Sequence, residues 1–222
     1  SYEGTGFNTI LMKTDGSNYD YQLDYKNGST ELRFIPYVSG SAETSAAVAT
    51  ATLGLYQWHH VAVSRDGSNN LRLFHNGKLL KTTSYSSTID GDGNAELIIG
   101  ARNTGGSYDR IFPAGYIADL RIVKGTAVYT SAFTPPTSPL TAITNTKFLT
   151  ATNKNNVFDA SGMANRGGIG GLGNLPYGMD KLTSTGSPAP STTQRKFTDS
   201  YSFHFEGGTG GSSAEYYSTY IN

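Results

Sequence analysis

The first 130 residues are dominated by short apolar stretches in which apolar and polar side chains alternate. Residues 19–25 read YDYQLDY, so every second side chain is aromatic or aliphatic. A strand points successive side chains to opposite faces, and this period of two therefore predicts a half-buried strand. The Asn-Gly pair at 27–28 then separates it from residues 32–35. That spacing predicts a hairpin, because a tight two-residue turn needs residues that tolerate positive φ.

The same pattern continues as a meander. Residues 58–65, 71–75 and 78–81 form three apolar stretches, separated by Asp66-Gly67 and Asn76-Gly77. Further strands are predicted at 97–100 and 115–123, and no long stretch has the 3.6-residue period of a helix. Short strands at this spacing are typical of an all-β, antiparallel two-sheet sandwich. We expect a core made by the following apolar residues: Trp58, Val61, Val63, Leu71, Leu73, Phe74, Ile98, Ile117, Leu120 and Ile122.

Composition narrows the possible partners. The chain has 17 Lys and Arg against 17 Asp and Glu, so it lacks the basic surplus that nucleic acid or an anionic membrane would attract. It has no cysteine, which excludes disulfides and thiolate chemistry. No apolar stretch approaches the roughly 20 residues of a membrane span. We therefore expect neither nucleic acid nor a membrane span.

The chain changes character after residue 150. We predict a sandwich at 1–150, a Gly-, Pro- and Ser-rich extension and linker at 151–199, and a C-terminal strand segment at 200–222. In this last segment SYSFHFE alternates cleanly, which places Tyr201, Phe203 and Phe205 on one face. An extended C-terminal arm is expected as a result.

Two spaced motifs carry a family resemblance. The sequence WHHVAVSRDG at 58–67, followed by LRLFHNGK at 71–78, resembles the central hairpin of laminin-G-like and pentraxin-like jelly rolls. The sequence GYIADLRIVKG at 115–125, with Tyr129 and FTPP at 133–136, is similar to tandem modules of phage and bacterial surface proteins. The resemblance covers about residues 10–139. It implies a concanavalin A-like jelly roll on an extracellular, virion or cell surface.

Members of that family open with a strand that this chain lacks before Ile10, and a similar segment, YSFHFEGG, stands at 201–208 instead. Three arrangements are open. The strand folds back into its own domain, begins a next module, or inserts into a neighbouring subunit or repeat. We expect exchange between subunits or repeats, with Tyr201, Phe203 and Phe205 forming the assembly strand.

Two loops are candidate ligand sites. Asp90, Asp92 and Asn94 place oxygen atoms at alternate positions, as a calcium site requires, although an Asp/Gly turn explains the same pattern and is favoured. The resemblance keeps calcium as a candidate cofactor; no other cofactor is expected. It also implies glycan binding, for which the Gly-rich loop after Gly100 offers these residues: Asn103, Tyr108, Asp109 and Arg110. Contact with another subunit is the alternative role of this loop.

No catalytic residues are predicted. Concanavalin-like glucanases space acidic residues along one strand, and the glutamates here are isolated. His60 is interpreted as a hydrogen-bonded histidine at the edge of the core beside Trp58. The predicted function is a non-enzymatic structural or adhesive module of a virion (tail, fibre or capsid decoration) or surface filament. Its partners would be copies of itself, neighbouring repeats or virion proteins. The alternatives are a carbohydrate-binding lectin and a degenerate hydrolase or lyase.

Overall fold

The structure, a computed structural model, describes the following residues: 6–26, 30–44, 46–91, 95–112, 115–150, 183–185, 189–191, 196–197, 202–205 and 216–220. Within these ranges all regular structure is β, and no helix there is long and apolar enough to cross a membrane. The predicted all-β class is therefore confirmed.

The strands in chain order are β1 (Phe7–Thr14), β2 (Tyr19–Lys26), β3 (Glu31–Val38), β4 (Ser41–Ala42), β5 (Ala47–Thr50), β6 (Val61–Arg65), β7 (Asn70–His75), β8 (Lys78–Ser84), β9 (Glu96–Ile99), β10 (Arg102–Asn103), β11 (Tyr108–Asp109), β12 (Gly115–Ile117), β13 (Leu120–Val123), β14 (Thr146–Thr150), β15 (Thr183–Thr185), β16 (Ala189–Ser191), β17 (Ser202–Phe205) and β18 (Tyr216–Tyr220).

One large antiparallel sheet forms the first layer. Its eight strands run in the order β15-β18-β9-β1-β2-β3-β4, and β5 also pairs with β3. Leu11 lies opposite Leu23 on one side and Ile99 on the other. These register pairs place leucine and isoleucine in a row on the inner face, as the alternation in β2 predicts.

Three smaller sheets form the opposite layer: β6-β7-β8, β13-β14 and β12-β17-β16. Leu71 and Leu73 of β7 are buried in the same apolar cluster as Leu23 and Leu97 of the large sheet. Residues of both layers thus share one core, which is the defining feature of a sandwich. The two-sheet jelly-roll prediction is confirmed.

The turn at Asn76-Gly77 shows why glycine is required there. Both residues have positive φ, 48° and 78°. A Cβ on Gly77 would also lie 1.9 Å from the carbonyl oxygen of Phe133, whose amide donates a hydrogen bond to the Gly77 carbonyl at 2.9 Å. The predicted hairpin is therefore present, and its turn also anchors the later segment around Phe133. The hairpin predicted around 27–28 is also present, because β2 and β3 pair antiparallel with Tyr25 opposite Leu32, while the turn residues themselves lie outside the described ranges.

The C-terminal strand β17 folds back into its own domain. Phe203 pairs with Ile117 and Phe205 with Gly115, and both phenylalanines are completely buried in the core. Within the single chain, β17 thus fills the edge of β12, where its effective concentration is high. Exchange of this strand between subunits or repeats stays a prediction. Tyr201 lies outside the described residues, and the division of the chain at 150 and 199 stays a prediction.

The expected placement of Trp58 between the sheets is wrong. Trp58 is half-buried and does not belong to the core cluster. Pairing of β6 begins only at Val61, opposite His75, so Trp58 lies beyond the end of the β6-β7 hairpin.

The other nine predicted core residues are buried or packed against the core, but not all face the space between the layers. Phe74 and Ile98 are buried outside the main cluster, on the outer faces of their sheets. The remaining seven belong to the cluster or pack against it: Val61, Val63, Leu71, Leu73, Ile117, Leu120 and Ile122.

Candidate functional site

A polar hairpin covers the outer face of the large sheet. It consists of β10 and β11 with their flanking residues, and we call residues 101–112 the cover hairpin. Ile98 of the sheet packs with Ala101, Ile111 and Tyr108 in a second apolar cluster. The amide of Thr9 donates to the carbonyl of Arg110 at 2.8 Å. The cover hairpin is therefore fixed to the sheet by apolar contacts and by the backbone.

A buried carboxylate lies beneath the base of this hairpin. Asp24, fully buried, accepts hydrogen bonds from Thr9 at 3.0 Å and Gln22 at 2.7 Å through Oδ1. Its Oδ2 accepts from Arg33 Nη2 at 2.8 Å and from Arg110 Nη1 at 3.1 Å. Burial of a carboxylate is tolerated because cations and donors surround it. Asp24 thus ties the hairpin to β1, β2 and β3.

The hairpin carries a second ion pair near its tip. Arg102 and Asp109 are register partners, and the guanidinium binds both carboxylate oxygens, with Nε to Oδ1 at 2.7 Å. These hydrogen bonds raise the pKa of Arg102, whereas burial lowers the pKa of Arg110. Asn103 accepts the amide hydrogen of Gly106 at 2.8 Å and so closes the turn.

Two tyrosines lie beside the hairpin. Tyr19 and Tyr37 stack with ring centroids 5.1 Å apart, and both are half-buried. Burial raises the pKa of Tyr37, and the positive charges of Arg102 and Arg110 lie close enough to oppose that shift. The tyrosine pair therefore lies within electrostatic range of the charged hairpin, and we group the two as the candidate site.

The turn between β1 and β2 completes the rim of this site. Gly16 has φ of 91°, and a Cβ there would lie 3.3 Å from Nδ2 of Asn103. The hydroxyl of Tyr19 donates to the Gly16 carbonyl at 3.4 Å. Close packing of this turn against the hairpin tip positions Tyr19 next to the hairpin. Aromatic faces beside a small number of fixed polar groups are the usual features of a site for a polar ligand such as a sugar.

The sequence-predicted glycan residues have different roles within this site. Asp109 and Arg110 are partly exposed and belong to it. Asn103 is committed to its own turn, and Tyr108 packs against the second apolar cluster. Sequence analysis missed these residues: Tyr19, Asp24, Arg33, Tyr37 and Arg102. The alternation in β2 places Asp24 on the face of the strand that points away from the core. That pattern is the signal that could have indicated a polar outer face.

Acidic residues do occur at alternate positions of β2, which the sequence analysis overlooked. Asp20, Gln22 and Asp24 share the outer face of the strand, and all three are buried. Asp20 pairs with Lys13 at 2.6 Å, and Asp24 pairs with two arginines. A glycosidase needs one protonated and one free carboxyl group at an open cleft. Carboxylates neutralised by cations beneath a hairpin do not meet that requirement.

Of the predicted calcium residues, Asp90 is described, and its side chain closes a turn. Its two carboxylate oxygens accept the amide hydrogens of Ser39 at 2.9 Å and Gly40 at 2.8 Å. Asp92 and Asn94 lie outside the described residues. Within the described part of the chain, no group of three or more His, Cys, Asp or Glu residues is placed to bind a metal. Calcium binding by this loop stays a prediction.

The histidines belong to the opposite layer. His59 and His75 lie in hydrogen-bond contact, Nδ1 to Nε2 at 3.0 Å. The ring of His60 meets Tyr129 and Phe133 edge-on, and burial lowers its pKa to about 4. Its Nδ1 is buried without a partner among the described residues. The interpretation of His60 as a hydrogen-bonded histidine is thus not met at Nδ1 and stays a prediction for Nε2, while its aromatic neighbours place it at the edge of an apolar region.

Comparison with known proteins agrees with this architecture. A laminin G family model, described as concanavalin A-like lectin/glucanases superfamily, matches residues 3–156. No curated protein and no solved structure matches the chain. The match covers more than half of the 222 residues and coincides with the two-layer sandwich described above. The chain therefore belongs to the concanavalin A-like lectin/glucanases superfamily.

Proposed function

We propose that this protein is a non-enzymatic carbohydrate-binding module that acts as an adhesive element on an extracellular, virion or cell surface. The observation that carries the proposal is the pairing of the Tyr19–Tyr37 stack with the charged cover hairpin. Sugar rings stack on aromatic faces, while charged forks fix their hydroxyl groups. The superfamily supports binding as the activity, and the surface location rests on the resemblance to phage and bacterial modules.

The proposal includes that the protein does not hydrolyse polysaccharides. Asp20 and Asp24 are the acids that share a strand face, and both are buried in ion pairs. We therefore expect no release of reducing ends from β-glucans. Reducing-end release that a single Asp or Glu substitution abolishes would contradict this part of the proposal.

A glycan array with the purified chain tests the proposal. We expect binding to a defined subset of glycans, unchanged by EDTA because the proposed contacts are aromatic rings and guanidinium groups, which do not bind calcium. Tyr37→Ala should weaken binding about tenfold, since it removes an aromatic face from the site. Tyr56→Ala is the matched control, because Tyr56 is fully exposed in the loop before β6.

A chain that binds no glycan would overturn the proposal. So would equal losses in the two tyrosine variants, since the effect would then not depend on the site.

A further inference from the structure

The charges beneath the cover hairpin do not balance. Asp24 is a single carboxylate, and both Arg33 and Arg110 donate to the same oxygen, Oδ2. Arg33 uses two nitrogens, Nε at 3.2 Å and Nη2 at 2.8 Å, whereas Arg110 uses Nη1 alone at 3.1 Å. Arg33 is therefore the main partner of the carboxylate, and Arg110 is a surplus cation.

The neighbouring carboxylates do not neutralise that surplus. Asp109 is held at both oxygens by Arg102, and Asp20 is paired with Lys13. Asp15 accepts the amide hydrogens of Ser17 and Asn18 in its own turn, and Asp90 accepts those of Ser39 and Gly40. Among the described residues, Asp24 is therefore the one carboxylate that forms an ion pair with Arg110, and Arg110 shares it with Arg33.

Arg110 is also placed to reach a ligand. Its side chain is 27% exposed, while that of Asp24 is fully buried. A guanidinium has five N–H donors, and in the described part of the chain that of Arg110 donates only to Asp24. Its backbone has φ of 46°, a conformation that non-glycine residues rarely adopt and that is found preferentially at functional sites.

We infer that Arg110 receives the anionic group of an acidic sugar, a carboxylate or a sulfate ester, while the adjacent Tyr37 contacts its ring. The inference rests on the proposed carbohydrate binding and narrows the ligand from sugars in general to anionic ones. The planar fork of Arg110 matches the two oxygens of either group, and a charge-assisted hydrogen bond is stronger than a neutral one. The remaining donors of Arg110, whose carboxylate partner is shared with Arg33, make this residue the point of selectivity.

The test is a glycan array in which each anionic glycan is printed beside a neutral counterpart. Uronic- and sialic-acid glycans are paired with their methyl esters, and sulfated glycans with their desulfated forms. We expect the anionic member of the bound pairs to bind about 10- to 100-fold more tightly. Whether carboxylates or sulfates show this preference identifies the anion. The preference should shrink at high salt, because part of it is a screened charge interaction.

Two arginine variants are then compared by titration calorimetry with the strongest-binding anionic glycan. Arg110→Gln should remove the preference, so that the anionic glycan and its neutral counterpart bind with similar affinity. Arg65→Gln, which removes a charge from the opposite layer where Arg65 donates to Asn69 at 2.8 Å, should change neither. Arg110→Lys restores the charge without the fork, and it should recover part of the preference even if the glutamine variant is unstable.

The outcomes distinguish the inference about anionic sugars from the proposed carbohydrate binding. Equal binding of anionic and neutral partners overturns the inference and leaves carbohydrate binding in place. A preference that persists in folded Arg110→Gln overturns the assignment to this residue. An array on which nothing binds overturns the inference together with the proposed function.

Discussion

The outer face of the β6-β7-β8 sheet is covered by Tyr129 and Phe133, which we call the aromatic cover. The outer face of the large sheet is covered by the cover hairpin, residues 101–112, which carries charged side chains and is the charged cover. Tyr129 and Phe133 stack with ring centroids 3.6 Å apart, and Phe74 and His60 meet Phe133 edge-on. On the large sheet, the cover hairpin is held in part through the ion pair of Arg110 with Asp24.

The difference teaches how one fold separates stability from recognition. An aromatic cover gains its free energy from apolar area and from ring contacts, and it leaves few groups for a ligand. A charged cover needs a partner for each ion, and an incompletely paired ion such as Arg110 remains available. We therefore assign stabilisation to the aromatic cover and recognition to the charged one.

Removing the buried ring of the aromatic cover should have the largest effect on stability. Phe74 is completely buried and contacts both Tyr129 and Phe133. Phe74→Ala should lower the free energy of unfolding by about 3–5 kcal/mol, through lost burial and the cavity left behind. Urea unfolding measures it. Glycan affinity of the folded fraction should be unchanged, and a loss of affinity would contradict the separation of the two faces.

Removing the buried carboxylate of the charged cover should be nearly as costly. Asp24→Asn leaves Arg33 and Arg110 without their anion and should destabilise the fold by about 3 kcal/mol. Asp109→Asn is the control, since the side chain of Asp109 is 47% exposed and its pair contributes little. Thermal unfolding of both variants checks this. Equal melting temperatures would mean that Asp24 does not hold the hairpin.

The free energy of unfolding should also depend on pH, through two groups in the layer opposite the large sheet whose effects oppose each other. The pKa of His60, about 4 in the fold against 6.5 unfolded, makes its neutral form the stable one, so its contribution is lost as pH falls from 6.5 through 4. Burial raises the pKa of Asp119 to about 6, so its contribution is lost as pH rises from 3.8 through 6.

Melting temperatures measured between pH 3.5 and 7.5, a range set to span these two transitions, test this opposition. His60→Phe should flatten the decline on the acidic side, while Asp119→Asn should make that decline steeper. Parallel curves for both variants and the unsubstituted protein would show that neither group titrates as described.

The smallest effect is expected at the tryptophan. Because Trp58 is half-buried and outside the core, Trp58→Ala should cost about 1 kcal/mol, well below the 3–5 kcal/mol typical of a buried aromatic residue. Its fluorescence should lie between that of a buried and a water-exposed indole. A loss above about 3 kcal/mol, in the range of core substitutions, would return Trp58 to the core.

The sequence pattern predicted the strands and hairpins of the two layers well, because each of these features depends on a few neighbouring residues. The alternation in β2 and the Asn76-Gly77 turn were sufficient to predict strands and a hairpin, and both are present. Trp58 was misplaced because the pattern does not show where the partner strand ends. The fold-back of β17 depends on an edge more than 80 residues earlier, at β12, and no local pattern reports such a contact.

The candidate site was only partly predictable for the same reason. Asp109 and Arg110 were found because they lie together in one Gly-rich loop. Tyr37 and Asp24 come from other strands, and only the packing of the cover hairpin on the sheet brings them to that loop. Which arginines share Asp24 depends on the tertiary fold, and the spacing of residues along the sequence does not predict it.

The central claim is that ligand binds at the charged cover and not at the aromatic one. The most direct measurement is a ¹H–¹⁵N correlation spectrum recorded during titration with the strongest-binding glycan of the array. If ligand binds at the charged cover, chemical-shift changes should be concentrated at the amides of Tyr37, Gly105, Gly106 and Arg110. The amide signals of Gly77, Tyr129 and Phe133 should not change. Shifts concentrated at those last three residues, or spread evenly over both faces, would contradict it.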